Sequence, residues 1–142
     1  MPANVLIVED DEILALMLRY NLESAGYRVE VCTRGDAADA RLMDTPPDLV
    51  VLDWMLPGLS GVEICRRLRK RDLPHRPSVI MLTARSDRHD IEWALQAGAD
   101  GYIVKPFSLR DLLAKICAML AANACAAAPS PGTPAPASQL VD

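Results

Sequence analysis

A chain of 142 residues amounts to one domain and is long enough to bury a sizeable core. Fifteen Lys and Arg against 19 Asp and Glu give a formal net charge of −4, without the basic balance expected of a piece that binds nucleic acid by itself. No apolar run approaches membrane-spanning length, and the chain passes from Met1 into a strand without a secretory leader, so a cytoplasmic protein is expected. Cys32, Cys65, Cys117 and Cys125 form no CxxC and read as buried, reduced thiols.

Val5-Leu6-Ile7-Val8 is an apolar run of strand length that ends on Glu9-Asp10-Asp11-Glu12. Leu14, Met17, Leu18, Leu22 and Ala25 then recur at helical spacing, and Gly26 stops that helix. Tyr27 to Val31 alternates apolar and charged residues, as a strand at a sheet edge does. Asp36 to about Met43 reads as an Ala-rich helix, with Pro46-Pro47 ending the connection. Leu49-Val50-Val51-Leu52 reads as a strand buried on both faces and ends on Asp53, with the turn residues Pro57-Gly58 behind it. Ser60 and Glu63 make a capping box for a helix whose inner face is Gly61, Ile64, Cys65 and Leu68. Val79-Ile80-Met81-Leu82 is another buried strand, ending at Thr83. Asp87 to Ala97 reads as a helix closed by Gly98, and Tyr102-Ile103-Val104 as a short strand ending at Lys105-Pro106. Ser108 and Asp111 make a second capping box, and Leu109, Leu112, Leu113, Ile116 and Leu120 line the last helix. From Ala122 to Ser138 the chain is almost wholly Ala, Pro, Ser, Gly and Thr, which cannot bury enough apolar surface to offset its ordering entropy. The expected organisation is one domain over 1–121 and a flexible linker or tail over 122–142.

Strand and helix thus alternate through five βα units, which predicts an α/β fold with a parallel sheet and right-handed crossovers. With the polar second strand at an edge, the doubly wound order is 2-1-3-4-5, and ligands bind at the switch point between strands 1 and 3. Glu9, Asp10 and Asp53 then share one crevice. Two carboxylates ~4 Å apart repel by about 4 kcal/mol at an effective dielectric of about 20. Three together call for a raised pKa or a hard divalent cation such as Mg²⁺. Asp11 and Glu12 are read as acidic N-terminal residues of the first helix. Thr83 brings a hydroxyl and Lys105 a fixed positive charge to neighbouring strand ends. Carboxylate, metal, hydroxyl and ammonium are the groups that phosphoryl transfer to an acid requires, with Asp53 as nucleophile.

The acidic pair after the first strand, Asp53 followed by Met55-Leu56-Pro57-Gly58, Thr83-Ala84 and Lys105-Pro106-Phe107 together resemble the receiver domain of bacterial two-component response regulators. The resemblance covers about Asn4 to Leu120, and Asp53-Trp54-Met55-Leu56-Pro57 looks most like the winged-helix transcriptional subfamily. It implies a flavodoxin-like, chemotaxis-receiver-like fold. It implies that Asp53 is the phosphoacceptor, charged from the phosphohistidine of a sensor histidine kinase. Asp10 and Asp53 would ligate Mg²⁺ together with the Met55 carbonyl, Glu9 would act through water, and Thr83, Ala84 and Lys105 would contact the phosphoryl group. The Lys105–Pro106 bond would be cis. Such a domain is not an enzyme, but a phosphoacceptor that assists its own phosphorylation and dephosphorylation. Thr83 and Tyr102 would be the switch that repacks helix 4, strand 5 and helix 5. Output would be transcription through a DNA-binding domain beyond the linker; the alternative is a stand-alone receiver that acts by binding another protein.

The subfamily dimerises through a charged set on that same face. Here Asp100, Asp111 and Lys115 are the candidates, but Gly101 stands where a second acid is usual, and Ile91 and Trp93 where basic residues are expected. Ile91, Ala94 and Leu95 make a helical core stripe, with Trp93 about 60° outside it and exposed. A weaker salt-bridged homodimer with a more apolar contact is expected. Met55 and Arg85 flank the phosphoryl site and would tune hydrolysis. An aspartyl-phosphate phosphatase would need a second Asp two residues after the first, where Met55 stands. A nucleotide-binding flavodoxin relative would need a first loop that attracts phosphate, which Glu9-Asp10-Asp11-Glu12 repels.

Overall fold

The computed structural model describes residues 3–73, 76–84 and 87–127. Five strands, β1 (Asn4–Val8), β2 (Arg28–Cys32), β3 (Leu49–Asp53), β4 (Ser78–Thr83) and β5 (Gly101–Val104), alternate with five helices. These are α1 (Glu12–Ser24), α2 (Gly35–Asp44), α3 (Gly61–Lys70), α4 (Arg88–Gln96) and α5 (Leu109–Ala127). The strands pair in parallel in the order β2-β1-β3-β4-β5, which places the alternating strand at one edge.

The period of two along each strand sorts its side chains onto two faces. Leu6, Val8, Val50, Leu52, Val79 and Met81 pack with Ala38, Leu42, Ile64, Leu68 and Ala94, under α2, α3 and α4. Val5, Ile7, Leu49, Val51, Ile80 and Leu82 pack with Ala15, Leu18, Leu22, Leu112 and Ile116, under α1 and α5. All five residues of β3 and all six of β4 are buried, as a central strand covered on both faces requires. Each such aliphatic side chain contributes about 1.5–3 kcal/mol.

Two helices turn differently from the spacing-based reading. In α1 the buried residues are Ala15, Leu18 and Leu22, while Met17 is half exposed and Ala25 is the exposed C-cap. Residues 13–18 of α1 are all apolar, so spacing alone does not select the inward side. In α4 only Ala94 is buried; Leu95 is 46% exposed and Ile91 half-buried, so the expected stripe of three is a single anchor. α5 continues to Ala127, past the 121/122 boundary expected from composition, because alanine is the strongest helix former and no proline occurs before Pro129. Residues 128–142 lie outside the described residues, as do Arg85 and His75. Of the thiols, Cys65 is buried, Cys32 half-buried and Cys117 exposed rather than buried; all three are free.

Candidate functional site

The backbone ladder runs one residue past two strands and fixes the acids at their ends. Glu9 donates its N–H to the Cys32 carbonyl at 3.0 Å, and Trp54 donates to the Leu82 carbonyl at 2.9 Å, immediately after Asp53. Gly61, the first residue of α3, packs against Asp53 so closely that an added Cβ would stand 2.3 Å from the Asp53 carbonyl oxygen. Only glycine allows that approach. On the far side, Lys105 donates its N–H to the Thr83 carbonyl at 2.7 Å, so the ends of β4 and β5 are also tied. The Lys105–Pro106 peptide is cis.

The side chains converge on one point. Ligand oxygens of Glu9, Asp10 and Asp53 lie within 4.8 Å of one another. Lys105 Nζ donates to Glu9 Oε1 at 2.9 Å and to Asp53 Oδ2 at 3.1 Å. Asp53 Oδ1 accepts from the Met55 N–H at 3.1 Å, and Glu9 Oε2 from the Asp11 N–H at 3.1 Å. Glu9 and Asp53 are buried, whereas Asp10 is exposed at the mouth. Asp11 is the N-cap of α1, its Oδ1 accepting from the N–H groups of Ile13 and Leu14. Glu12 stands in the first turn of α1. Thr83 is buried at the end of β4, Ala84 exposed beside it. Tyr102, paired in register with Met81, is half-buried on the same sheet face as Thr83.

Three carboxylates face one ammonium, and the imbalance registers in the pKa values. Burial first, then the neighbouring Asp53, push Glu9 up to about 7, against the pull of Lys105. Burial pulls the Lys105 ammonium down, but its bonds to Glu9 and Asp53 outweigh that and hold it above the ordinary lysine value. Hard oxygen donors with excess negative charge, one of them driven toward its neutral form, fit a small divalent cation. The Met55 N–H binds Asp53, and its side chain is 62% exposed.

The known family of matching composition and geometry is the response regulator receiver domain, which matches residues 5–117. The chain belongs to the response regulator receiver family. The receiver is 51% identical over 120 residues to the phosphate regulon transcriptional regulatory protein PhoB of Rhizobium meliloti, covering 84% of this chain and 53% of that protein. It is 41% identical to the alkaline phosphatase synthesis transcriptional regulatory protein PhoP of Bacillus subtilis, covering 84% of this chain and 49% of that protein. It thus spans about half the length of these curated relatives. Among solved structures it resembles a CheY-like receiver domain protein from Methanospirillum hungatei, with a TM-score of 0.82 at 31% identity over 89% of this chain and 99% of the other. The receiver domain of the Francisella response regulator 1452 matches with a TM-score of 0.80 at 28% identity over 85% and 98% of the two chains.

The receiver's other expected residues are placed apart from the acids. Trp93 is 47% exposed on α4, its ring edge-on to the buried Trp54 with centroids 5.6 Å apart and planes at 75°. Asp111 is exposed on α5, and the Lys115 stem lies over Gly101, its Cε 2.7 Å from where a Cβ would stand. Asp100 is different: both its oxygens are used within the molecule. Oδ2 accepts from Arg69 Nη2 at 2.8 Å and the Val79 N–H at 2.9 Å, and Oδ1 pairs with Arg76 at 2.9 Å. Sequence spacing did not reveal those partners. It also left unremarked the apolar outer face of α1, where Ile13, Leu16 and Tyr20 are at least 67% exposed.

Proposed function

We propose that this chain is a phosphorylation switch in which Asp53 takes a phosphoryl group from the phosphohistidine of a sensor histidine kinase. The Asp53 oxygen attacks phosphorus, the phosphorus–nitrogen bond breaks, and the imidazole leaves with the bond's electron pair and takes a proton from solvent. Lys105, already within 3.1 Å of Asp53, is the fixed positive charge that meets the transferred oxygens, and Thr83 and Ala84 receive them from the β4 side. Asp10 and Asp53, with the Met55 carbonyl, would hold Mg²⁺ directly and Glu9 would act through water; the ion would supply positive charge to the phosphoryl oxygens. The domain is a phosphoacceptor that assists its own charging and discharge, rather than an enzyme acting on a separate substrate. The observation that carries this reading is the Lys105 ammonium bridging Glu9 and Asp53 within an excess of carboxylates.

Met17, which shares the exposed apolar face of α1 with Ile13, Leu16 and Tyr20, lines a 500 Å³ cleft with Leu14, Ala84, Phe107 and the Lys105 that binds Glu9 and Asp53. An apolar face beside the phosphoacceptor is a surface on which a kinase would dock to bring its phosphohistidine to Asp53. Among the described residues no helix is long and apolar enough to cross a membrane; the kinship with transcriptional regulatory proteins supports a cytoplasmic switch. The names of the relatives as transcriptional regulatory proteins support output through transcription, by a DNA-binding domain, over a stand-alone receiver. Phosphorylation would shift Thr83 and Tyr102 and so the face of α4, β5 and α5, where a homodimer forms around Trp93, Leu95, Asp111 and Lys115, with Asp100 retained internally.

Incubation with acetyl phosphate and Mg²⁺ tests the chemistry without a kinase. The expected result is a mass gain of one phosphoryl group, lost in Asp53→Asn and on chelation of the metal; uptake by Asp53→Asn equal to the parent would refute the assignment. Leu16→Glu should slow transfer from a kinase and leave acetyl phosphate uptake unchanged. Sedimentation of phosphorylated Trp93→Ala tests the dimer face: it should remain monomeric where the parent self-associates, and equal association would remove Trp93 from the interface.

A further inference from the structure

α4 is held unevenly. Of its nine residues only Ala94 is buried, so packing gives the helix little grip on the sheet. Its C-terminal end is held by charge and hydrogen bonding instead. Arg69, on α3, donates Nε to the Gly98 carbonyl at 2.9 Å, Nη1 to the Pro77 carbonyl at 2.7 Å and Nη2 to Asp100 at 2.8 Å. Asp100 is joined to β4 twice, through its own N–H to the Val79 carbonyl at 2.8 Å and through Oδ2 to the Val79 N–H at 2.9 Å. Gly98 has φ +113°, and an added Cβ would stand 2.3 Å from Arg69 Cγ, so the arginine stem rests where only glycine leaves room. One guanidinium thus joins the end of α3, the start of β4 and the end of α4.

The other end of α4 is tied differently. The Asp87 cap bond runs within the helix, to the His89 N–H at 2.9 Å. Half-way along, Trp93 meets Trp54 edge-on, and Trp54 is the residue that follows Asp53. Val79 and Thr83 are four residues apart on β4, about 13 Å along an extended strand, so the clamp and the phosphoacceptor lie at opposite ends of the sheet.

We infer that Arg69 and Asp100 fix the C-terminal end of α4 as the pivot of the switch, so that phosphorylation at Asp53 swings the helix at its Asp87 end while Gly98 stays in place. Arg69 is a positioning residue, acting through α4 and not on the phosphoryl group. The inference rests on Asp53 being the phosphoacceptor.

Amide hydrogen exchange on the whole chain, with and without acetyl phosphate and Mg²⁺, tests it, and the intact mass of each sample certifies phosphorylation independently. In the parent protein, phosphorylation should change exchange over residues 88–93 by about tenfold and leave residues 97–100 within about twofold. Equal changes at both ends would overturn the pivot even if Asp53 is charged normally. In Arg69→Gln, phosphoryl uptake should match the parent, residues 97–100 should exchange about tenfold faster before phosphorylation, and the contrast between the two ends should vanish. Arg69→Lys, which cannot reach three acceptors at once, should restore only part of the contrast. Gly98→Ala should reproduce the Arg69→Gln pattern without touching any charge. A parent-like pattern in both Arg69→Gln and Gly98→Ala would refute the role of the clamp.

Discussion

The two ends of the sheet gather charge in opposite ways. At the amino ends of β4 and β5, Asp100 is matched by Arg69 and Arg76, and nearby Asp39 by Arg67 and Arg71. At the carboxyl ends, Glu9, Asp10 and Asp53 share only Lys105 among the described residues. In the first arrangement each carboxylate is closed off by two guanidiniums, which ties α2 to α3 and α3 to the end of α4. The second leaves negative charge over, and Glu9 carries the consequence in a pKa raised to about 7. Buried carboxylates that outnumber their one ammonium fit a cation as the missing partner.

Removing charge should therefore do different things at the two ends. The largest effect is at Lys105: Lys105→Met should slow phosphoryl uptake by about a hundredfold, measured as the rate of mass gain with acetyl phosphate, because a preorganised donor to the developing charge is lost. The same variant should still fold. At the closed end the effect is on stability. Asp100→Ala leaves the Arg69 guanidinium, only 16% exposed, without its carboxylate and should cost about 3 kcal/mol by denaturant titration. A next effect separates the ends by pH. In the metal-free protein Glu9 binds its proton more tightly folded, near 7, than its ordinary value of 4.5. Between those values the folded state holds more protons than the unfolded one, so stability falls as pH rises from 4.5 to 7, by about 3 kcal/mol at most. Saturating Mg²⁺ should flatten that slope, while Asp100→Ala should leave it unchanged. The smallest effect sharpens the contrast within the closed end. Arg76→Ala removes the 60% exposed partner of the same carboxylate and should cost under about 1 kcal/mol.

Much of the fold was legible because its signals are local. The runs at Val5, Leu49 and Val79, the caps at Ser60 and Ser108, and the stops at Gly26 and Gly98 each declare themselves within a few residues. The site was legible because every part of it falls at the end of a strand, so strand order alone brought Glu9, Asp10, Asp53, Thr83 and Lys105 to one rim. Helix faces were harder. α1 is apolar around most of its circumference, which hid the choice of Ala15 over Met17 as a core residue. α4 is anchored by one alanine, which let Leu95 turn outward. Asp100 could not be read from sequence, since Arg69 stands 31 residues away and nothing local separates a clamp from an exposed acid.

The claim at the centre is that the carboxylate at position 53 becomes an acyl phosphate with a metal beside it. Borohydride cleavage of the phosphorylated chain, followed by peptide mapping, locates the modified side chain directly. Modification is expected at Asp53 alone, and only when Mg²⁺ was present. Modification at Asp10 or Glu9, or at Asp53 without any divalent ion, would contradict it.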